Sequence, residues 1–177
     1  MNTLKNYVTK VSNEILLRQA YKESTFRPNV KNELGFMGLA QVGEDVINDY
    51  KQAKGLKSFN PYDIQQANDI QKWYMDDLYN ASFINKPNQS GKVRTAKALA
   101  AYNWGRGKTS KFLTAQKKKG VDIYNSMDWL EELPKETKGY VNKILLEKDE
   151  KFNREYDSVV KLPKHKKIIE TYRKKNG

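Results

Sequence analysis

Cysteine is absent from these 177 residues, which excludes disulfides, thiolate metal sites and cysteine nucleophiles. Histidine occurs once, at His165, among Lys164, Lys166 and Lys167 and with no second histidine or carboxylate at ligand spacing. It is expected to be solvated, and Ser-His-Asp chemistry has no partner for it unless it folds back into a cleft. Neither a metal nor a cofactor is expected. No stretch approaches the roughly 18 consecutive apolar residues of a membrane span, so none is expected. Residues 1–20 mix polar side chains among apolar ones and lack a small-residue cleavage site, which does not read as a secretory signal. Strand signals are nearly absent as well.

What remains describes a globular domain. An apolar fraction of 38% beside a charged fraction of 31% is ordinary for a folded chain, and the length allows one domain with a real core. Charge is the outlier: the formal balance is +12. Residues 161–177 hold seven Lys/Arg against Glu170 alone, so half of the excess lies in a short basic tail. Such a tail is ordinarily solvated or loosely ordered, and the sharper reading is retention on a polyanion. Removing it after Val160 is expected to leave the chemistry intact.

Apolar spacing of three and four sets the elements. Leu4, Tyr7, Val8, Val11 and Ile15 begin a helix expected to run to about Phe26, where Arg27-Pro28 ends it and leaves Glu23 in the last turn. A loop is expected over 29–35 and a second helix from Gly38 to about Lys51. Asn60-Pro61 reads as an N-cap and first helical position, followed by Ile64, Ala67, Ile70, Tyr74, Leu78 and Ala81 on one face. The alanine-rich segment from Val93 to Asn103 is helical, Gly105 and Gly107 end it, and a shorter helix covers 109–119. After Leu133-Pro134 a long helix is expected through Tyr140, Ile144, Phe152, Tyr156 and Val159, and Pro163 separates it from the tail. The expectation is an all-α chain, with a domain over 1–146 and a C-terminal helical extension with the basic tail over 147–177.

Four clusters carry chemistry in a fixed order. They are Glu23-Ser24-Thr25-Phe26-Arg27-Pro28 with Met37-Gly38-Leu39-Ala40-Gln41; Asn60-Pro61; Ala101-Tyr102-Asn103-Trp104-Gly105-Arg106-Gly107; and Glu136-Thr137-Lys138-Gly139-Tyr140-Val141. In that order the chain resembles the soluble lytic transglycosylase family of lysozyme-like folds over residues 5–146. The resemblance implies a peptidoglycan-cleaving enzyme that forms a 1,6-anhydro sugar, with Glu23 as its single acid/base. Glycosidic cleavage needs a proton donor to the leaving oxygen, and a carboxyl at a helix end facing an apolar cleft can stay protonated for that step. Glycan strands are the implied partner. With no export signal read, a phage particle or a secretion apparatus is the expected carrier to the bacterial wall.

The remaining roles follow from the resemblance alone. Ser24, Asn32, Met37, Gly38, Gln41, Tyr102 and Asn103 are implied as substrate-side residues, with Glu136 a second buried carboxylate that orders the cleft and Tyr140 packed beside it. Ordinary structural readings stand next to these: Tyr102 and Tyr140 as core aromatics, the glycines as caps, and Glu136 as a helix N-terminal charge. Asn32 stands where the family commonly has serine, Phe36 replaces a small residue, and Trp104 and Arg106 are unusual at their positions. Trp104 reads equally as a sugar platform or as core, and Arg106 as a contact for a peptide carboxylate. The nearest rival is a hydrolytic muramidase, for which Glu33, Glu44, Asp45 or Glu136 would hold the water. A noncatalytic wall-binding component of a larger particle is a second rival. Nucleic-acid binding is suggested by charge alone, with no recognition motif behind it.

Overall fold

The computed structural model describes residues 11–82, 84–86 and 89–174. The expected start of the first helix, Leu4 to Val8, lies outside them. Eight α-helices and no strand occur among the described residues, so the all-α expectation holds. None of the helices described is long and apolar enough to cross a membrane.

The helices begin where side chains can satisfy orphan N–H groups. Ser12 accepts from Ile15 N to open α1 (Asn13–Ser24), and Ser90 accepts from Val93 N to open α4 (Gly91–Trp104). α2 (Glu44–Lys54) has Glu44 and Asp45 in its first turn, which suits the helix dipole. The second helix therefore starts six residues later than its sequence suggests, because Gly38 to Val42 is held in a loop by its own backbone bonds. α3 (Ile64–Tyr79) also starts late: Asn60 Oδ1 accepts from Tyr62 N in a turn, and Asp63 Oδ2 accepts from Gln66 N as the actual cap. Gly105, at φ +105°, separates α4 from α5 (Arg106–Lys118).

The expected long helix after Pro134 is three pieces. α6 (Lys135–Val141) passes into a π-helical turn, Asn142–Leu146, which ends at Glu147 in the left-handed region; α7 (Glu150–Val159) then starts on the Asp149 cap. The described part of the basic tail, residues 161–174, is not loose either. α8 (Lys166–Arg173) buries Ile168, Ile169 and Tyr172 and packs against α1. Truncation after Val160 would uncover that face.

The chain divides into two compact units, with the boundary inside α3. The acid-bearing unit comprises Ser12–Tyr74 and the described residues from Asp149 onward. Its interior is tied by a side-chain chain of neutral groups: Gln71 Nε2 donates to Leu16 O (2.9 Å) and to Gln19 Oε1 (2.8 Å), and Tyr172 Oη donates to Gln71 Oε1 (2.6 Å). Beside it, the Arg18 guanidinium lies 4.9 Å from the Tyr156 ring centre and 5.2 Å from that of Phe152, and donates to Asn153 Oδ1. Burial raises the Tyr156 hydroxyl to about 12, with the Glu14 charge adding to the rise.

The α4 unit comprises Val11 and Met75–Lys148 among described residues. α4 is buried nearly all round from Val93 to Ala101, and it packs on α5 and α6. Lys97, 0% exposed in the middle of this helix, donates from Nζ to Ile84 O. Burial, and after it the neighbouring Arg94 charge, lowers its pKa to about 7 against the opposing pull of Asp122.

Candidate active site

Glu23 is the penultimate residue of α1 and half-buried. The helix stops immediately after it because Thr25 and Phe26 both take left-handed backbone conformations, φ 51° and 59°. Neither residue type favours that region, so the reversal is held by its surroundings. Thr25 N donates to Tyr21 O, Phe26 is 2% exposed, and its ring sits 5.2 Å from that of Tyr21. The acid is thus carried on a helix end whose exit path is fixed.

Ser24 has a different task from the expected substrate contact. It is 1% exposed and its hydroxyl donates to Ala20 O, so it supports the helix end from within. Asn32 is exposed, and its Oδ1 accepts from both Leu34 N and Phe36 N, shaping the loop tip. That leaves the amide N–H groups as what Asn32 offers a ligand.

Met37, Gly38 and Gln41 come together around Val30. Met37 exchanges backbone bonds with Val42 (3.0 and 3.1 Å), and its side chain packs on the cluster of Ala40, Val42, Ile47, Tyr50 and Ile70. Gly38 N donates to Val30 O, and Gln41 Nε2 donates to Val30 O and Gly38 O. Gly38 has φ +77°, and a Cβ there would overlap the Pro61 carbonyl oxygen. Only glycine fits. This also explains Asn60-Pro61 among the recurring clusters: its backbone is what Gly38 lies against. Phe36 covers Gly43, whose lack of a side chain makes room for that ring.

In the α4 unit, Tyr102 and Asn103 occupy the last turn of α4, both half-buried. Asn103 Oδ1 accepts from the hydroxyl of Thr137, which is 2% exposed. Thr137 is the residue the sequence reading passed over, although it sits inside the quoted Glu136 to Val141 run. Tyr140 is buried as expected of a packed aromatic. Glu136 is exposed in the first turn of α6, so it is not a second buried carboxylate; the helix N-terminal charge is the reading that fits. Trp104 packs edge-on against Phe112 at 5.8 Å within the unit. Arg106 pairs with Asp77 at 2.8 Å, with both side chains exposed.

His165 is half-buried, not solvated, with its ring 5.3 Å from that of Phe26. Burial, then the Lys164 charge, lowers its pKa. The four carboxylates considered for holding a hydrolytic water, Glu33, Glu44, Asp45 and Glu136, are all exposed.

Residues 4–125 match the family model described as the transglycosylase SLT domain. No curated protein matches the sequence.

Proposed function

Because the chain belongs to the transglycosylase SLT domain family, with the all-α architecture expected of a lysozyme-like fold, we propose that it cleaves the β-1,4 bond of peptidoglycan between MurNAc and GlcNAc. Glu23 is the sole acid/base of this reaction. Its carboxyl gives a proton to the glycosidic oxygen as the bond to the anomeric carbon breaks, and an oxocarbenium-like centre develops on MurNAc. The resulting carboxylate then takes the proton of the same sugar's 6-hydroxyl, whose oxygen bonds to the anomeric carbon. The product is 1,6-anhydro-MurNAc, the leaving sugar keeps the first proton, and Glu23 returns to its starting state without consuming water.

One observation carries the reading: a half-buried carboxyl at the terminus of a helix whose reversal is locked by Thr25, Phe26 and the buried Ser24. A fixed helix end keeps the carboxyl aimed, as proton transfer in the transition state requires. Gln41 and Gly38 serve by holding the loop after Glu23 in shape. The transglycosylase reading is favoured over hydrolysis by the family match.

Mass spectrometry of muropeptides released from purified peptidoglycan tests this. The expected products are lighter by one water than those of a lysozyme digest, and reducing ends would establish hydrolysis instead. Glu23→Gln is expected to cut release by roughly 10²-fold or more, the range of a general acid/base, with an unchanged melting temperature. Retained activity in this variant removes Glu23 from its role.

A further inference from the structure

Phe26 also forms part of the wall of a cavity of about 570 Å³ inside the acid-bearing unit. Neither Glu23 nor Gly38 nor Gln41 lines it; Phe26 is its one link to the reversal behind Glu23. Its apolar surface comes from Phe26, Pro28, Val30, Ile64 and Ile168, contributed by the loop after α1, the start of α3 and α8. Its charged lining is of one sign: Arg27, Lys164 and Lys167, with no carboxylate among the lining residues. Arg27 Nε is fixed by Ser24 O (3.1 Å) and Thr25 Oγ1 (2.9 Å), which orients the guanidinium. Neighbouring Lys166 reaches Glu170 at 3.9 Å, whereas Arg27, Lys164 and Lys167 have no such carboxylate among the described residues. Positive charge therefore surrounds the opening, and a bound anion would complement it.

A cavity of this size falls in the range of small-molecule sites, in which apolar walls hold the body of a ligand and a few polar groups orient it. A bare inorganic ion would leave those walls unused, and a neutral apolar molecule would leave the cations uncompensated. We propose that the cavity binds a small amphipathic anion, with an aliphatic body against Phe26, Val30, Ile64 and Ile168 and a carboxylate or phosphate head held by Arg27, Lys164 and Lys167. The site stands apart from the glycan reaction and does not depend on it.

His165 makes the test site-specific: it lines the cavity and is the only histidine of the chain, so its imidazole NMR signals report on this place alone. Decanoate and decyl phosphate, added to the full chain below their micellar concentrations, are expected to shift those signals saturably. The tighter of the two identifies the head group. Decanol and inorganic phosphate are expected to bind at least about tenfold more weakly, since each supplies only half of the interaction. The double variant Lys164→Gln/Lys167→Gln, at two exposed positions, is expected to lose about tenfold in affinity for the better probe while melting as the parent does. Unmoved imidazole signals with both amphiphiles up to millimolar concentration, decanol binding as well as decanoate, or undiminished affinity in the double variant would each overturn the proposal.

Discussion

The two units bury polarity in opposite ways. In the acid-bearing unit the interior polar groups are neutral amides and a phenol that satisfy one another, Gln19 to Gln71 to Tyr172, with the Arg18 charge spread over two rings. In the α4 unit a lysine is placed in the middle of a buried helix with one carbonyl to receive it, and Lys86, Lys97 and Lys117 all approach the Tyr124 ring, at 4.2, 4.7 and 5.5 Å. Neutral networks do not titrate in the working range; a desolvated ammonium does. The Gln19–Gln71–Tyr172 network should therefore be indifferent to pH near neutrality, and the Lys97 site should not be.

The largest effect expected is at Gly38. Gly38→Ala must adopt an unfavourable positive φ and push against the Pro61 carbonyl, which together cost about 3 kcal/mol, read as a fall in the denaturant midpoint. A substitution tolerated without loss would mean that the loop is not the rigid support for Glu23 described above. Gln71→Leu comes next. It removes the acceptor of the Tyr172 hydroxyl and the bonds donated to Gln19 Oε1 and Leu16 O, for a loss of about 2 kcal/mol that should be the same at pH 6 and pH 9. A loss that varies with pH would break the contrast between the units.

Lys97 sharpens the same contrast from the other side. Its folded pKa, about 7, lies below that of an unfolded lysine, so between pH 7 and 10 the unfolded chain holds a proton that the folded chain does not. Stability is expected to rise with pH from about 7 upward, and to be lowest where both states are protonated. In Lys97→Met the rise should disappear, as followed by thermal melts at pH 6.5, 7.5 and 8.5. The smallest effect expected is at Arg106, whose pair with Asp77 is solvent-exposed: Arg106→Ala should change stability by less than about 0.5 kcal/mol. Loss of muropeptide release in that variant, without a stability change, would return Arg106 to the glycan.

The helical class and most helix positions were legible because apolar spacing reports a buried face directly. Ile70 and Leu78 are 0% exposed on α3, as their spacing implies. What misled was local chemistry overriding composition. Gly38-Leu39-Ala40-Gln41 reads as helical, yet Met37 and Val42 bond each other across it, and a Gln41 backbone at φ 50° closes the turn. Nothing in the apolar pattern marks the π turn at 142–146. In the tail, seven cations masked Ile168, Ile169 and Tyr172, whose spacing did hold an amphipathic stripe. Ser24, Gly38 and Gln41 make bonds or contacts that build the loop, and such geometry follows from backbone conformation, which residue identity alone does not reveal.

The bond between Tyr172 and Gln71, together with the two bonds from Arg173 to Glu14, has a consequence for biosynthesis. Helix α1 emerges from the ribosome before α8, and the partner that completes its polar interior is made some 150 residues later. The segment bearing the acid therefore waits for its final cover until α8 is made, and a chain stopped before α8 is left with that interior unsealed.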